Sequence, residues 1–108
     1  MKSTPKAPKH LSAEGKKIWK EIQAEYSIDD SAGLRILRVA LEAFDRAQMA
    51  REAIRRDGMT FLDKAGQVKS HPLLPIERDS RAAFLSGLKG LNLDILPLQN
   101  RPGRPNGK

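Results

Sequence analysis

The chain has 108 residues, with 20 Lys and Arg against 13 Asp and Glu, a net charge of +7 and no cysteine. That length holds one small domain with a marginal core, so packing against sister subunits is expected to help it. The absence of cysteine excludes disulfides and thiolate metal sites, and a pI near 10.1 favours a polyanionic partner.

Residues 1–10 carry two prolines and lysines at Lys2, Lys6 and Lys9 with no periodic apolar pattern, which predicts a basic flexible arm. No apolar h-region follows this basic start, and nowhere do about 18 apolar residues run together. The expectation is a soluble, unexported, cytoplasmic protein without membrane contact. Residues 11–96 are read as one helical domain. Ser12 is a plausible N-cap, and Ile18, Trp19, Ile22 and Tyr26 recur at helical spacing, predicting a first helix over Ala13 to Glu25. Its opposite face is expected to carry Lys16, Lys17, Lys20 and Gln23.

Asp29 or Asp30 can cap a second helix that runs to Asp57. It bears two apolar seams. Leu34, Leu37, Leu41 and Phe44 form one; Ile36, Ala40, Ala43, Ala47, Ala50 and Ile54 form the other, at heptad spacing. The alanines permit close approach of another helix, so the second seam is a candidate subunit interface; the competing reading places both seams in one intramolecular core. Arg35, Arg38 and Arg46 fall on the wet face with Glu42 and Asp45.

Gly58 is expected to stop this helix in the left-handed conformation. Met59-Thr60-Phe61-Leu62 and Gln67-Val68-Lys69 then read as a short hairpin near 59–70, turning through Asp63-Lys64-Ala65-Gly66. Such a ribbon is marginal alone and must lean on a helix or a neighbouring subunit. A third helix is expected from about Pro72 to Gly87 or Gly90, with Ser70 or His71 as its cap and Pro75 limiting its start. Residues 97–108 form a second basic tail, rich in proline and glycine. The fold class is therefore mainly α: a small helical domain with a long central helix, a short β-hairpin before the last helix, and basic flexible tails.

Catalytic chemistry finds little support. His10 and His71 have no Ser, Cys or carboxylate at a catalytic spacing, and His71 reads as a cap or packed turn residue. No metal cluster, cofactor motif or phosphate loop is visible, so the chain is not expected to be an enzyme. Nucleic-acid binding fits better. Lys16, Lys17 and Lys20 form one cationic stripe and Arg35, Arg38 and Arg46 another, with Lys6 and Lys9 on the arm, though solvated helix faces look similar. Gly103-Arg104-Pro105, beside Arg101, resembles an AT-hook core that enters a narrow minor groove, or is a solubilising tail. Trp19, Phe44, Phe61 and Phe84 read as core, because no aromatic run accompanies the lysines.

Taken together, Ala7-Pro8-Lys9-His10-Leu11-Ser12 leading to Lys17-Ile18-Trp19, a long helix with Leu41, Phe44 and Ala47, and Gly58-Met59-Thr60-Phe61 before Gly66-Gln67-Val68-Lys69-Ser70-His71-Pro72 resemble the phage terminase small subunit family. The branch in question is encoded beside an HNH endonuclease and a terminase large subunit, and the resemblance covers about residues 6–90. It implies a non-catalytic, ring-forming homo-oligomer that recognises the packaging site on double-stranded viral DNA in the host cytoplasm. It also implies regulation of the large subunit's ATPase and nuclease, with the HNH endonuclease as a further partner. The loop Tyr26-Ser27-Ile28-Asp29-Asp30 is shorter than in many members, and the Arg-Pro-Gly-Arg-Pro tail departs from the family pattern. A small dimeric DNA-binding regulator, transcriptional or nucleoid-associated, is the alternative, and a purely structural virion or adaptor protein is a third class.

Overall fold

The computed structural model describes residues 4–93. Three helices and one hairpin follow in chain order: α1 (Ala13–Tyr26), α2 (Ser31–Asp57), β1 (Thr60–Leu62), β2 (Val68–Ser70) and α3 (Leu74–Gly90). Each start has a local cause. The Ser12 hydroxyl accepts from the Gly15 amide at 2.9 Å, and the Asp30 carboxylate accepts from the Gly33 amide at 2.8 Å, satisfying donors that a helix N-terminus leaves open. α1 ends where Ser27 turns left-handed, at φ 50°.

Both seams of α2 are used inside the chain. Leu37 and Leu41, fully buried, join Trp19 and Leu11, with Ala7, Ile18, Ile22, Ile28, Leu34, Phe44, Phe84 and Leu91 packed around them. The other seam meets α3, which runs antiparallel to α2. Ala40 lies against Gly87, the Phe44 and Phe84 rings stand 5.3 Å apart at 58°, and Arg51 pairs with Glu77. Ala40, Ala43, Ala47 and Ala50 are therefore buried by the chain's own third helix, Ile54 is half-buried and Ile36 is exposed. The expectation of a subunit interface on this seam is corrected: small side chains did invite a close helix, and that helix is α3.

At Gly58, φ 91° and ψ 156° differ from the expected left-handed helix conformation; the pair lies in an extended positive-φ region that only glycine adopts freely. The strands pair antiparallel, with Thr60 opposite Ser70, Phe61 opposite Lys69 and Leu62 opposite Val68. The Asp63 carboxylate closes the turn by accepting from the Ala65 and Gln67 amides at 2.9 Å. Phe61 is exposed, contrary to its expected core place, because the hairpin stands clear of the helices.

His71 joins the hairpin to both long helices. Its Nδ1 accepts from the Leu73 amide at 3.0 Å, which leaves the ring proton on Nε2 to be donated to Asp57 at 3.0 Å. Arg56 and then His71 hydrogen-bond the Asp57 carboxylate and hold its pKa below the ordinary value. Pro72 sits in the turn, and Pro75 occupies the first turn of α3.

Candidate nucleic-acid interface

Residues 4–8 have no regular secondary structure, yet the segment is tied down. The buried Trp19 indole donates from Nε1 to the Pro5 carbonyl at 2.9 Å, and Ala7 packs on the core. A buried indole N–H requires an acceptor, and the proline carbonyl supplies it. Further along, His10 Nε2 lies 2.6 Å from Glu42, and Ser12 gives its amide and hydroxyl to the Asp45 carboxylate at 2.8 and 2.6 Å. The expected free arm is thus, over residues 4–10, a strap laid across α1 and α2.

The strap divides the surface around Trp19 into two hollows. One, about 350 Å³, is lined by Pro5, Lys6, Trp19, Ser31, Leu34, Arg35 and Arg38. The other, about 520 Å³, is lined by Lys6, Trp19, Lys20, Gln23 and neighbouring small residues. Lys6 belongs to both. Arg35 and Arg38 share a face of α2 with Ser31, at offsets of one and two turns. Among the described residues neither hollow is lined by a carboxylate, whereas Lys6, Lys20, Arg35 and Arg38 all line one or both. Lys16 stands one turn before Lys20 and borders the same face of α1.

The remaining predicted contacts are not gathered there. Lys9 and Lys17 are exposed and line neither hollow. Arg46 is on the other side of the strap. Its Nε donates to the Ser80 hydroxyl at 3.4 Å, and it borders a groove containing Glu14, Glu42, Asp45 and Glu52. Arg46 therefore stands apart from the two hollows, in a groove shared with four carboxylates. Arg101 and Arg104, with the AT-hook expectation, lie outside the described residues.

Sequence reasoning missed Gln23. Placed among the solvent-facing lysines, it is instead 3% exposed, one turn from Trp19, and neither its amide oxygen nor its amide nitrogen has a hydrogen-bond partner. Its spacing of four from Trp19 was the available signal.

Among the described residues, no group of three or more His, Cys, Asp and Glu comes together to hold a metal ion, and no helix is long and apolar enough to cross a membrane. Comparison with protein-family models, curated proteins and solved structures finds no match.

Proposed function

We propose that this chain is a non-catalytic, DNA-binding subunit of a viral packaging machine, a terminase small subunit. The reading rests on the ordered motifs given above and on one structural observation. Lys6, Lys20, Arg35 and Arg38 surround the Trp19 strap without a lining carboxylate, although the chain has 13 acids to distribute. Such a field captures the phosphate backbone of double-stranded DNA and releases its counterions.

Subunit contacts are assigned to the hairpin. Leu62 and Val68 form one cross-strand pair, 67% and 69% exposed, and the hairpin contributes two unpaired strand edges. Edges of this kind pair readily with another chain. A ring built through them would multiply weak cationic sites by effective concentration and present them together to the packaging site. Regulation of the large subunit follows from the family reading.

The test is duplex binding against salt concentration, with native mass spectrometry of the nucleic-acid-free protein. If all four cations contact phosphate, log Kobs falls with a slope of about −3.6 per protomer against log salt. Combined Ala replacement of Lys6, Lys20, Arg35 and Arg38 flattens that slope, whereas Arg46→Ala preserves it. A slope near zero in the unmodified protein would sink the DNA reading. A closed ring supports the packaging role, and a stable monomer or dimer transfers the same surface to a small DNA-binding regulator.

A further inference from the structure

Leaving both polar atoms of a buried side-chain amide unpartnered carries a desolvation cost that so small a domain can rarely spare. Gln23 does this at the edge of the 520 Å³ hollow that Lys6, Lys20 and Trp19 also line, with both amide atoms sealed beneath the surface. The volume is within the range that holds small ligands. Its unmet needs are specific. Among the described residues the amide lacks acceptors for its two N–H groups and a donor for its oxygen, side by side, while Lys6 and Lys20 have no ion-pair partner. An unpaired nucleobase presents an adjacent donor and acceptor on its Watson–Crick edge, and its own phosphate supplies the anion.

We propose that this hollow binds a single unpaired nucleotide, with the Gln23 amide reading the base edge and Lys6 and Lys20 holding the phosphate. A paired base cannot reach a side chain so deeply placed, so the nucleotide is either free in solution or part of an exposed single strand. Access requires the strap to lift at Pro5–Ala7. Among the described residues, that stretch is held by the Trp19 to Pro5 hydrogen bond and by the packing of Ala7 on the core. The inference deepens the nucleic-acid reading and rests on it.

Trp19 is the single tryptophan of the chain and forms a wall of the hollow, so its fluorescence reports occupancy. The full-length protein is titrated with a short single strand, with an abasic strand of equal charge, with mononucleotides and with duplex. The expected result is binding of the base-bearing strand about tenfold tighter than the abasic one. Gln23→Leu should remove that difference while leaving the melting temperature equal or higher, because an apolar group of similar shape relieves the unpaired amide. Lys20→Ala weakens base-bearing and abasic strands alike. Saturation by mononucleotides identifies a free nucleotide as the ligand, and strand binding without it identifies a nucleic-acid residue.

Equal affinity for base-bearing and abasic strands, unchanged by Gln23→Leu, overturns the proposal and leaves the amide to a buried water. If duplex still binds with the expected salt slope, that failure is confined to the hollow. If duplex binding is absent too, the DNA reading falls with it.

Discussion

Gly87 on α3 packs tightly against Ala40 on α2: a methyl group added to Gly87 would lie 2.6 Å from Cβ of Ala40 and 3.4 Å from its Cα. Both neighbours are short and cannot swing aside, so the helices themselves must separate. Gly87→Ala is expected to destabilise the fold by about 1–3 kcal/mol as an overpacked contact. Gly90→Ala, at the end of the same helix with nothing within 4 Å of the added carbon, should instead stabilise by up to about 1 kcal/mol. Urea midpoints of the two variants check this, and equal behaviour would mean that the crossing is not tight in solution.

Ser12 is held from α2 as well as capping α1. Asp45 accepts from its amide and hydroxyl, while that hydroxyl accepts from the Gly15 amide. Asp45→Ala leaves two donors to find new partners and should cost about 1–3 kcal/mol. Ser12→Ala, which removes the cap itself, should cost about 1 kcal/mol. Thermal melts of the double variant should show less than the sum of the two losses, because both act through one network.

His71 closes the corner between α2 and α3 from a buried position. His71→Ala removes the hydrogen bonds to Leu73 and Asp57 and is expected to lower stability by about 2 kcal/mol. Asp57→Asn, which keeps a side-chain acceptor for Nε2, should cost less. The expected cap is not formed, since Leu73 is the N-cap of α3 with no side-chain cap. Hydrogen exchange at the Leu73 amide should still accelerate in the His71 variant, and unchanged protection there would deny the ring its hold on that amide.

Glu77 pairs with Arg81 one turn along α3 and links α3 to α2 through Arg51, with its side chain only 14% exposed. The hydrogen bond from Arg81 is the main cause holding its pKa below the ordinary carboxylate value, opposed by desolvation and aided by the charges of Arg81 and Arg51. A depressed folded-state value means that this stabilisation is complete above the unfolded pKa, about 4.3, and is lost as pH falls through the lower folded value. The melting-temperature gap between the unmodified protein and Glu77→Gln should therefore be constant near neutrality and close below about pH 4. A gap that persisted in acid would point to packing instead of charge.

Leu62 and Val68 contribute little to the folded monomer, being largely exposed. Replacing both by Thr should change stability by no more than about 0.5 kcal/mol while reducing self-association. Sedimentation of the double variant checks this, and an unaltered assembly would clear the hairpin of the subunit contact.

Much of this architecture was legible in the sequence. Ser12, Asp30, Gly58 and Pro75 punctuate the chain where helices begin and end, and the hairpin follows from Gly66 between two short apolar runs. What the alanine seam touches was not legible, because heptad spacing fixes an angle on a helix and not the identity of the neighbour. The strap was hidden by composition: Pro and Lys suggest solvation, but one indole N–H in need of an acceptor was enough to order Pro5. Gln23 was misplaced for a related reason, since a polar residue type was taken to mean a polar environment. Of the eight described residues expected at DNA, only Lys6, Lys20, Arg35 and Arg38 line the two hollows, because convergence depends on which cations the strap and the α1–α2 packing bring together.

Beyond Asp45, where α1 begins alongside it, α2 continues with α3 as its partner and delivers the hairpin at its far end. From Arg35 to Asp57 the helix axis spans about 33 Å at 1.5 Å per residue. Arg35 and Arg38 therefore lie toward one end of α2, and the exposed Leu62–Val68 pair lies beyond the other. Damage to either end need not reach the other, so a protomer crippled in the cations should still assemble, whereas one crippled in the hairpin should keep only its weak single-site binding.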